Sequence, residues 1–369
     1  MFPGRGAAST VASAVGQVVD SGGVTFRYPD PEGHGTRVRL VQEVAWPRSG
    51  WWLTQRSSDR VWELHLPRPP VDRMEYQFEL VHEDGRSELI LDPGNPRTAP
   101  GAFGPKSVVE FPEYRPPSWT RPDRPSVPSG ERRDLEISST LLDGPMRALL
   151  WSPAGSRPID ELPLLIAHDG IEFAAFSQLL EMLDQLTGRR LLPRMRAALL
   201  QPVSRDQDYS ASPRYARAVS QHVMPFLASE APYPDDQRFR VGLGASLGAL
   251  AMLHLQRTNP DLLGGLFLQS GSFFNERYDP HQLSSGHIRR VRRFIGRVHS
   301  ERRWAHPVPL IITCGQVEMN LINNLALSRT LRRQGYSVDF RPMRDAHNWV
   351  AWRDAWHPAL IQLLRRLGW

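Results

Sequence analysis

The residues Gly244-Ala245-Ser246-Leu247-Gly248 present a serine alcohol in the spacing of a nucleophile elbow. The bare G-x-S-x-G spacing is common by chance, and the surroundings give it weight. An apolar run, Phe239–Leu243, leads into it, and a helical run begins at Leu247. A serine on such a strand–turn–helix elbow projects Oγ above the edge of a sheet, and the flanking glycines relieve crowding around the turn. The bland reading is a glycine-rich turn of structural small residues, or a loop that cradles a phosphate. A serine alcohol needs a base to attack an ester at neutral pH. On this elbow the acid and then the histidine follow the serine along the chain. His347 lies in the loop after the last strand-like segment, Ser337–Pro342, from which it can fold back towards Ser246. Most loop histidines are plain surface residues. His357 competes from within a terminal helix, and His254 from one to two turns into the helix after the serine. Glu318 is the first carboxylate past the preceding strand, Pro309–Gly315. Its bland role is a glutamate favoured by a helix N-terminus. Asp345 is the alternative acid, but it is only two residues from His347, and Asp339 lies mid-strand. An oxyanion would need two N–H donors. Leu247 supplies one, and Gly170 or Ile171, in the turn after Leu164–His168, the other.

These groups need a scaffold. From residue 131 onward, strand-like segments alternate with helix-length ones. A leading hairpin, Leu135–Thr140 with Met146–Trp151, precedes strands at Leu164–His168, Ala197–Val203, Arg238–Gly242, Gly265–Gln269, Pro309–Thr313 and Ser337–Pro342. Helices are expected at Phe173–Thr187, Ser212–Ala228, Leu247–Arg257, Asn320–Gln334 and Ala351–Leu367. Buried apolar strands alternating with helices predict an α/β domain with a mostly parallel, eight-stranded sheet over residues 131–369.

Residues 1–115 read differently. Short strands are expected at Val24–Tyr28, Arg37–Val44, Trp51–Leu53, Val61–Leu66, Met74–His82, Leu89–Leu91 and Ser107–Phe111, with turn residues between them. In Val61–Leu66 the period of two sets Val61, Glu63 and His65 against Trp62, Leu64 and Leu66. The pattern predicts a β-sandwich. Five prolines between Tyr114 and Gly130 predict an extended, semi-rigid linker over 116–130.

Four segments together resemble the enterochelin esterase branch of the esterase D-like α/β-hydrolases. They are His168-Asp169-Gly170, Gly244–Gly248, Gln269-Ser270-Gly271-Ser272-Phe273, and Ala346-His347-Asn348-Trp349 with Trp352. Asp92-Pro93-Gly94-Asn95-Pro96 is similar to the Asp-Pro-x-Asn-Pro signature of that family's N-terminal domain, so the likeness runs from about residue 20 to 369. The resemblance implies an early-set, immunoglobulin-like sandwich before an α/β-hydrolase domain. It implies a serine esterase with Ser246, Glu318 and His347 as its triad, and Leu247 and Ile171 as oxyanion donors. It also implies a siderophore trilactone as substrate and a role in iron release. Asp169, Gly170 and Arg205 are then expected to face the substrate, and Trp349 and Trp352 to serve partly as packing and partly as pocket wall. Such chemistry requires no metal and no cofactor. The chain departs from the family at Asp345-Ala346-His347-Asn348-Trp349, where the usual run is Gly-Gly-His-Asp-Trp, and at Arg205–Tyr209, which echoes an Arg-x-x-Glu-Leu segment loosely.

Two other classes fit fewer features. An esterase or acyltransferase for acylated sugars or lipids, as in feruloyl esterases and mycolyltransferases, is usually exported. Here the first twenty residues hold one Arg and an apolar stretch, Ala7–Val19, broken by Ser and Gly, which makes a poor signal peptide. A non-catalytic binding protein on the same scaffold would not need an intact Ser, His and acid set. With 40% hydrophobic and 23% charged residues over 369 positions, wholesale disorder is excluded and a sizeable core is expected. No apolar run is long enough to span a membrane. Cys314 is the only cysteine, which rules out an intrachain disulfide and a Cys-based zinc site. Cytoplasmic residence is the expectation, with a small-molecule ester as partner and neither nucleic acid nor membrane. The net charge of +6 rests on arginine, Lys106 being the single lysine, and decides no partner by itself. The run His287–Arg297 reads as a basic amphipathic helix: a solvated face, or an attractor of anions. It has no aromatic platform for nucleic-acid bases. Cys314, in an apolar strand, is expected to be buried and inert.

Overall fold

The computed structural model describes residues 16–33, 35–45, 50–56, 60–121, 123–275 and 286–369. Residues 7–15 of the weak N-terminal apolar stretch lie outside these, as does Pro122 of the proline-rich segment. The chain divides into two compact units, Met1–Tyr114 and Arg115–Trp369.

The first unit pairs two antiparallel sheets. One runs Val18–Val19, Gly23–Pro29, Val61–Pro67, Thr54–Gln55. The other runs Arg37–Gln42, Arg73–Val81, Lys106–Glu110, Thr98–Ala99, with Ser87–Ile90 added to Arg73–Val81. Their apolar faces meet: the Phe26 ring of the first sheet packs edge-on against Tyr76 of the second at 4.8 Å. Val61–Leu66 alternates only in part. Trp62 and Leu66 are buried and His65 is exposed, but Val61 is buried too. The expected strand at Trp51–Leu53 is reduced to a single bridge, Arg39 to Trp52, and Thr54–Gln55 pairs in its place. Trp52 turns to solvent, with the Arg37 guanidinium 3.8 Å above its ring. The Asp92–Pro96 turn is tied to the sheet core. Asp92 accepts from the Tyr76 hydroxyl at 2.6 Å, and Asn95 Nδ2 donates to the Val108 carbonyl at 2.9 Å.

Strands of the second unit are numbered here from its start: β1 Glu131–Ile137, β2 Met146–Ser152, β3 Leu164–His168, β4 Arg196–Leu200, β5 Arg240–Ala245, β6 Gly265–Gln269, β7 Leu310–Gly315 and β8 Val338–Met343. They form one sheet in the order β1-β2-β4-β3-β5-β6-β7-β8. The β1–β2 and β2–β4 pairs are antiparallel and the rest parallel. This is an α/β-hydrolase sheet. Every residue of β3, β4, β5, β6 and β7 is buried, as strands covered by helices on both faces must be.

Three expected helices are interrupted. Phe173–Thr187 becomes Gly170–Ser177 and Leu179–Gly188, split at Gln178 in the left-handed region (φ 56°). Ser212–Ala228 becomes Pro213–Glu230 with one widened turn at Val219–Val223, just before Pro225, which has no N–H to continue the ladder. Ala351–Leu367 becomes Trp349–Asp354 and Trp356–Leu367, with His357, restricted by Pro358, outside helical geometry. The proline-rich segment belongs with the second unit and is not a free spacer. Trp119 is buried with its ring stacked on Trp356 at 6.5 Å, Arg124 pairs with Glu181 at 2.6 Å, and the Gly130 N–H donates to Asp184 at 2.7 Å.

Candidate active site

Ser246 follows β5 and caps the start of the helix Leu247–Thr258, with φ 54° and ψ −122°. A non-glycine residue at positive φ stores strain, which persists only where neighbours fix it. Here the Ser246 N–H donates to the Gln269 carbonyl at 2.9 Å, and the Ser246 carbonyl accepts from Ser272 N–H at 3.1 Å. A Cβ at position 244 would sit 2.5 Å from the Gly248 carbonyl oxygen, so only glycine permits the elbow to close this tightly. Ser246 Oγ lies 3.1 Å from Ser272 Oγ.

Glu318 and His347 meet at the carboxyl edge of the same sheet, where β7 and β8 deliver their loops. His347 Nδ1 lies 2.8 Å from Glu318 Oε2. Glu318 is 2% exposed, and its other oxygen accepts from Ser270 Oγ and from the Gly315 N–H, each at 2.7 Å. These contacts fix the direction of the carboxylate. Asp345 turns to its own loop. Its Oδ1 accepts from Ala346 N–H at 2.7 Å and Asn348 Nδ2 at 2.9 Å. Asn348 in turn caps the helix Trp349–Asp354. Asp339 pairs with Arg341. Among the competing histidines, His254 is buried against Phe294, its pKa pushed down to about 4 by burial. His357 belongs to the C-terminal helical segment.

Asp169, Gly170 and Ile171 sit at the carboxyl end of β3. Asp169 adopts the left-handed region (φ 51°), its N–H donates to the Tyr209 hydroxyl at 3.0 Å, and its carboxylate takes a fork from Arg205 Nε and Nη2 at 2.7–3.1 Å. Burial raises the Asp169 carboxyl above its ordinary range against the pull of Arg205. Gly170 packs on the backbone of β4, where a Cβ would meet Leu199 Cα at 2.4 Å. Ile171 and Leu247 each lie in the first turn of a helix, where backbone N–H groups have no intrahelical partner. Trp349 and Trp352 meet edge to face at 4.9 Å, and the His347 ring packs on Trp352 at 5.0 Å. Trp352 is buried, whereas Trp349, half-buried, lies beside Phe176 at 5.5 Å.

Sequence reasoning assigned no role to Ser270, Ser272, or the aromatic support under Asp169. Ser270 joins two site elements: its Oγ donates to Glu318 and accepts from Trp352 Nε1 at 3.1 Å. His168 is fully buried between Tyr215, whose hydroxyl lies 3.0 Å from Nε2, and the Tyr209 ring. Burial pushes its pKa down to about 3, so it is neutral. The signal for the serines was their position. They follow β6, next to β5 in the sheet, at the carboxyl edge where α/β proteins bind ligands. Cys314 is buried, and burial raises its thiol well above the ordinary value.

Residues 139–367 match the family model described as "Putative esterase". Iron(III) enterobactin esterase of Escherichia coli O6:H1 is 26% identical, over 93% of this chain and 92% of that protein. The enzyme of the same name from E. coli K12 is 25% identical over the same shares. Among solved structures, ferric enterobactin esterase from Salmonella typhimurium superposes with a TM-score of 0.74 at 23% identity, covering 93% of this chain and 94% of that one. Enterobactin esterase from Shigella flexneri, crystallised in the presence of enterobactin, gives 0.72 at 22% identity, covering 93% and 92%. At these identities the structural likeness is one of fold.

Proposed function

The chain belongs to the esterase family whose model spans residues 139–367, and on that premise we propose that it hydrolyses a catecholate siderophore trilactone through Ser246, His347 and Glu318. That it is a carboxylic-ester hydrolase related to the enterobactin esterases follows from the family. The observation that carries the finer reading is the 2.8 Å contact between His347 Nδ1 and a buried, triply hydrogen-bonded Glu318. That contact supports the tautomer of His347 with its proton on Nδ1, which leaves Nε2 as the nitrogen to act as base.

In this mechanism Ser246 Oγ attacks the ester carbonyl carbon as His347 Nε2 takes its proton. The N–H groups of Leu247 and Ile171 hold the oxyanion. The C–O bond to the alcohol breaks, and the alkoxide leaves with the proton from Nε2. Water, deprotonated by the same nitrogen, then attacks the acyl-enzyme and regenerates Ser246. Trp349 and Phe176, both half-buried, give an aromatic wall suited to stacking a catechol ring. The relatives named iron(III) enterobactin esterase match over nearly the full chain and support a siderophore trilactone as substrate, with iron release as its purpose.

The test measures hydrolysis of ferric and iron-free catecholate trilactones beside p-nitrophenyl esters, with fluorophosphonate labelling of the serine. Ser246→Ala is expected to lower kcat by about 10⁴–10⁶-fold without unfolding the protein, and to abolish labelling. A variant that keeps a tenth of wild-type turnover excludes Ser246 as nucleophile. Turnover of p-nitrophenyl esters alone, with both trilactones untouched, excludes the siderophore.

A further inference from the structure

Ser272 is 3% exposed, and its hydroxyl is turned onto the reacting atom of the site. Among the described residues Ser272 Oγ has one hydrogen-bond partner, Ser246 Oγ at 3.1 Å. The backbone around it allows little movement. Ser270 N–H donates to the Thr313 carbonyl at 2.7 Å, Gly271 N–H to Asn324 Oδ1 at 2.9 Å, and Ser272 N–H to the Ser246 carbonyl at 3.1 Å. Asn324 Nδ2 returns a bond to the Gly271 carbonyl at 2.9 Å. Phe273, fully buried, anchors the far end of the segment. A hydroxyl held this firmly beside the nucleophile needs no reorganisation when the reaction reaches it.

A hydroxyl has one proton to donate and lone pairs with which to accept. Once Ser246 gives its proton to His347 Nε2, Ser246 Oγ can only accept, so the proton between the two serines is that of Ser272. The strength of this bond follows the state of Ser246 Oγ. In the free serine Oγ is an ordinary acceptor. During attack its proton leaves as the bond to carbon forms, so its accepting power changes little. In the acyl-enzyme Oγ is the bridging oxygen of an ester, shares its lone pair with the carbonyl, and accepts weakly. Addition of water ends that sharing, and rupture of the C–Oγ bond restores a full acceptor. A donor on Oγ therefore stabilises the deacylation transition state more than the acyl-enzyme, which is the condition for raising a rate.

We propose that Ser272 is a catalytic residue of deacylation, its hydroxyl donating to Ser246 Oγ as that atom leaves the acyl group. This rests on Ser246 as the nucleophile, as proposed above. In the step, His347 Nε2 takes one proton from water as the water oxygen bonds to the acyl carbon. The C–Oγ bond then breaks, its electron pair goes to Oγ, and Nε2 returns the proton there. The acid departs with the oxygen of water. Ser272 keeps its own proton throughout and acts on the second half of the cycle alone.

The experiment compares the whole protein with Ser272→Ala, using p-nitrophenyl butyrate. The first release of p-nitrophenolate measures acylation. Decay of the butyryl-enzyme, followed by rapid quench and intact-protein mass spectrometry, measures deacylation. In the variant that decay is expected to slow roughly ten- to a hundredfold, the effect of one hydrogen bond to a charged group. The acylation burst and the rate of fluorophosphonate labelling, which report attack by Oγ alone, are expected to stay close to wild type. With deacylation limiting, kcat and KM fall together and kcat/KM is preserved. Unchanged decay of the butyryl-enzyme overturns the proposal. An equal slowing of burst, labelling and decay overturns it too, and would assign the hydroxyl to the oxyanion hole or to the fold. Fluorophosphonate labelling that survives in Ser246→Ala removes the nucleophile and the proposal with it. Labelling lost there, with decay unchanged in Ser272→Ala, removes the proposal and keeps the nucleophile.

Discussion

Ser270 occupies the left-handed region at φ 46°, a cost for a residue with a side chain, and its hydrogen bonds account for it. Its N–H donates to the Thr313 carbonyl at 2.7 Å, its carbonyl accepts from Asn320 Nδ2 at 3.1 Å, and its hydroxyl bridges Trp352 Nε1 and Glu318 Oε1. The strain therefore serves to aim one hydroxyl at the carboxylate that holds His347. Ser270→Ala would leave Glu318 with the Gly315 N–H on that oxygen and leave the Trp352 indole without its acceptor. The expected result is a fall in kcat on the order of tenfold, with KM for p-nitrophenyl butyrate little changed, because substrate contacts stay in place. Glu318→Gln, which removes the charge opposite the imidazolium, is expected to cost about 10⁴ in kcat. Similar kcat values for Ser270→Ala and wild type, measured at saturating ester, would show that Glu318 needs no such support.

At the scale of elements, the site is a property of the carboxyl ends of β3, β5, β6, β7 and β8, and this was the legible part. Gly265–Gln269 and Leu164–His168 were readable to the residue because apolar runs between turn signals leave little freedom. The loops inherit their places from the strands, so Ser246, Glu318 and His347 could be chosen by chain order. Helices proved less legible. The break at Gln178 and the widened turn at Val219–Val223 depend on how each segment packs on the sheet, and a periodic apolar pattern runs through both unchanged. Ser270 and Ser272 escaped assignment because their work is tertiary: each touches a residue more than twenty positions away. The elbow between β5 and its helix gives a prediction at this scale. In Gly244→Ala the new methyl group meets backbone, the Gly248 carbonyl, and no flexible side chain. The turn must open and carry Ser246 with it. A displacement near 1 Å is expected to lower kcat by about a hundredfold and slow fluorophosphonate labelling in parallel. Labelling at the wild-type rate would show that the elbow tolerates a Cβ there.

For the molecule as a whole, composition misled in one respect. A run with five prolines between Tyr114 and Gly130 predicted a spacer, since proline stiffens a chain and withholds N–H donors. Extended chain is equally able to lie along a surface, and one large apolar side chain decides which happens. Trp119 is 1% exposed, its ring stacked on Trp356, and the segment ends where Gly130 donates to Asp184, the carboxylate that also accepts from Trp151 Nε1 at 2.8 Å. Among the described residues no helix is long and apolar enough to cross a membrane. Two truncations separate a spacer from a strap. A chain of residues 115–369 keeps the whole second unit and is expected to fold cooperatively and to turn over p-nitrophenyl butyrate. A chain of residues 131–369 loses Trp119 from the face of Trp356 and the Arg124–Glu181 pair. Removing a buried tryptophan side chain costs about 3–5 kcal/mol, and the half-exposed ion pair adds little. The shorter chain should therefore unfold at clearly lower urea concentration, with Trp119→Ala in the full-length protein reproducing most of the loss. Coincident urea transitions for the two truncated chains would return the segment to the role of a spacer.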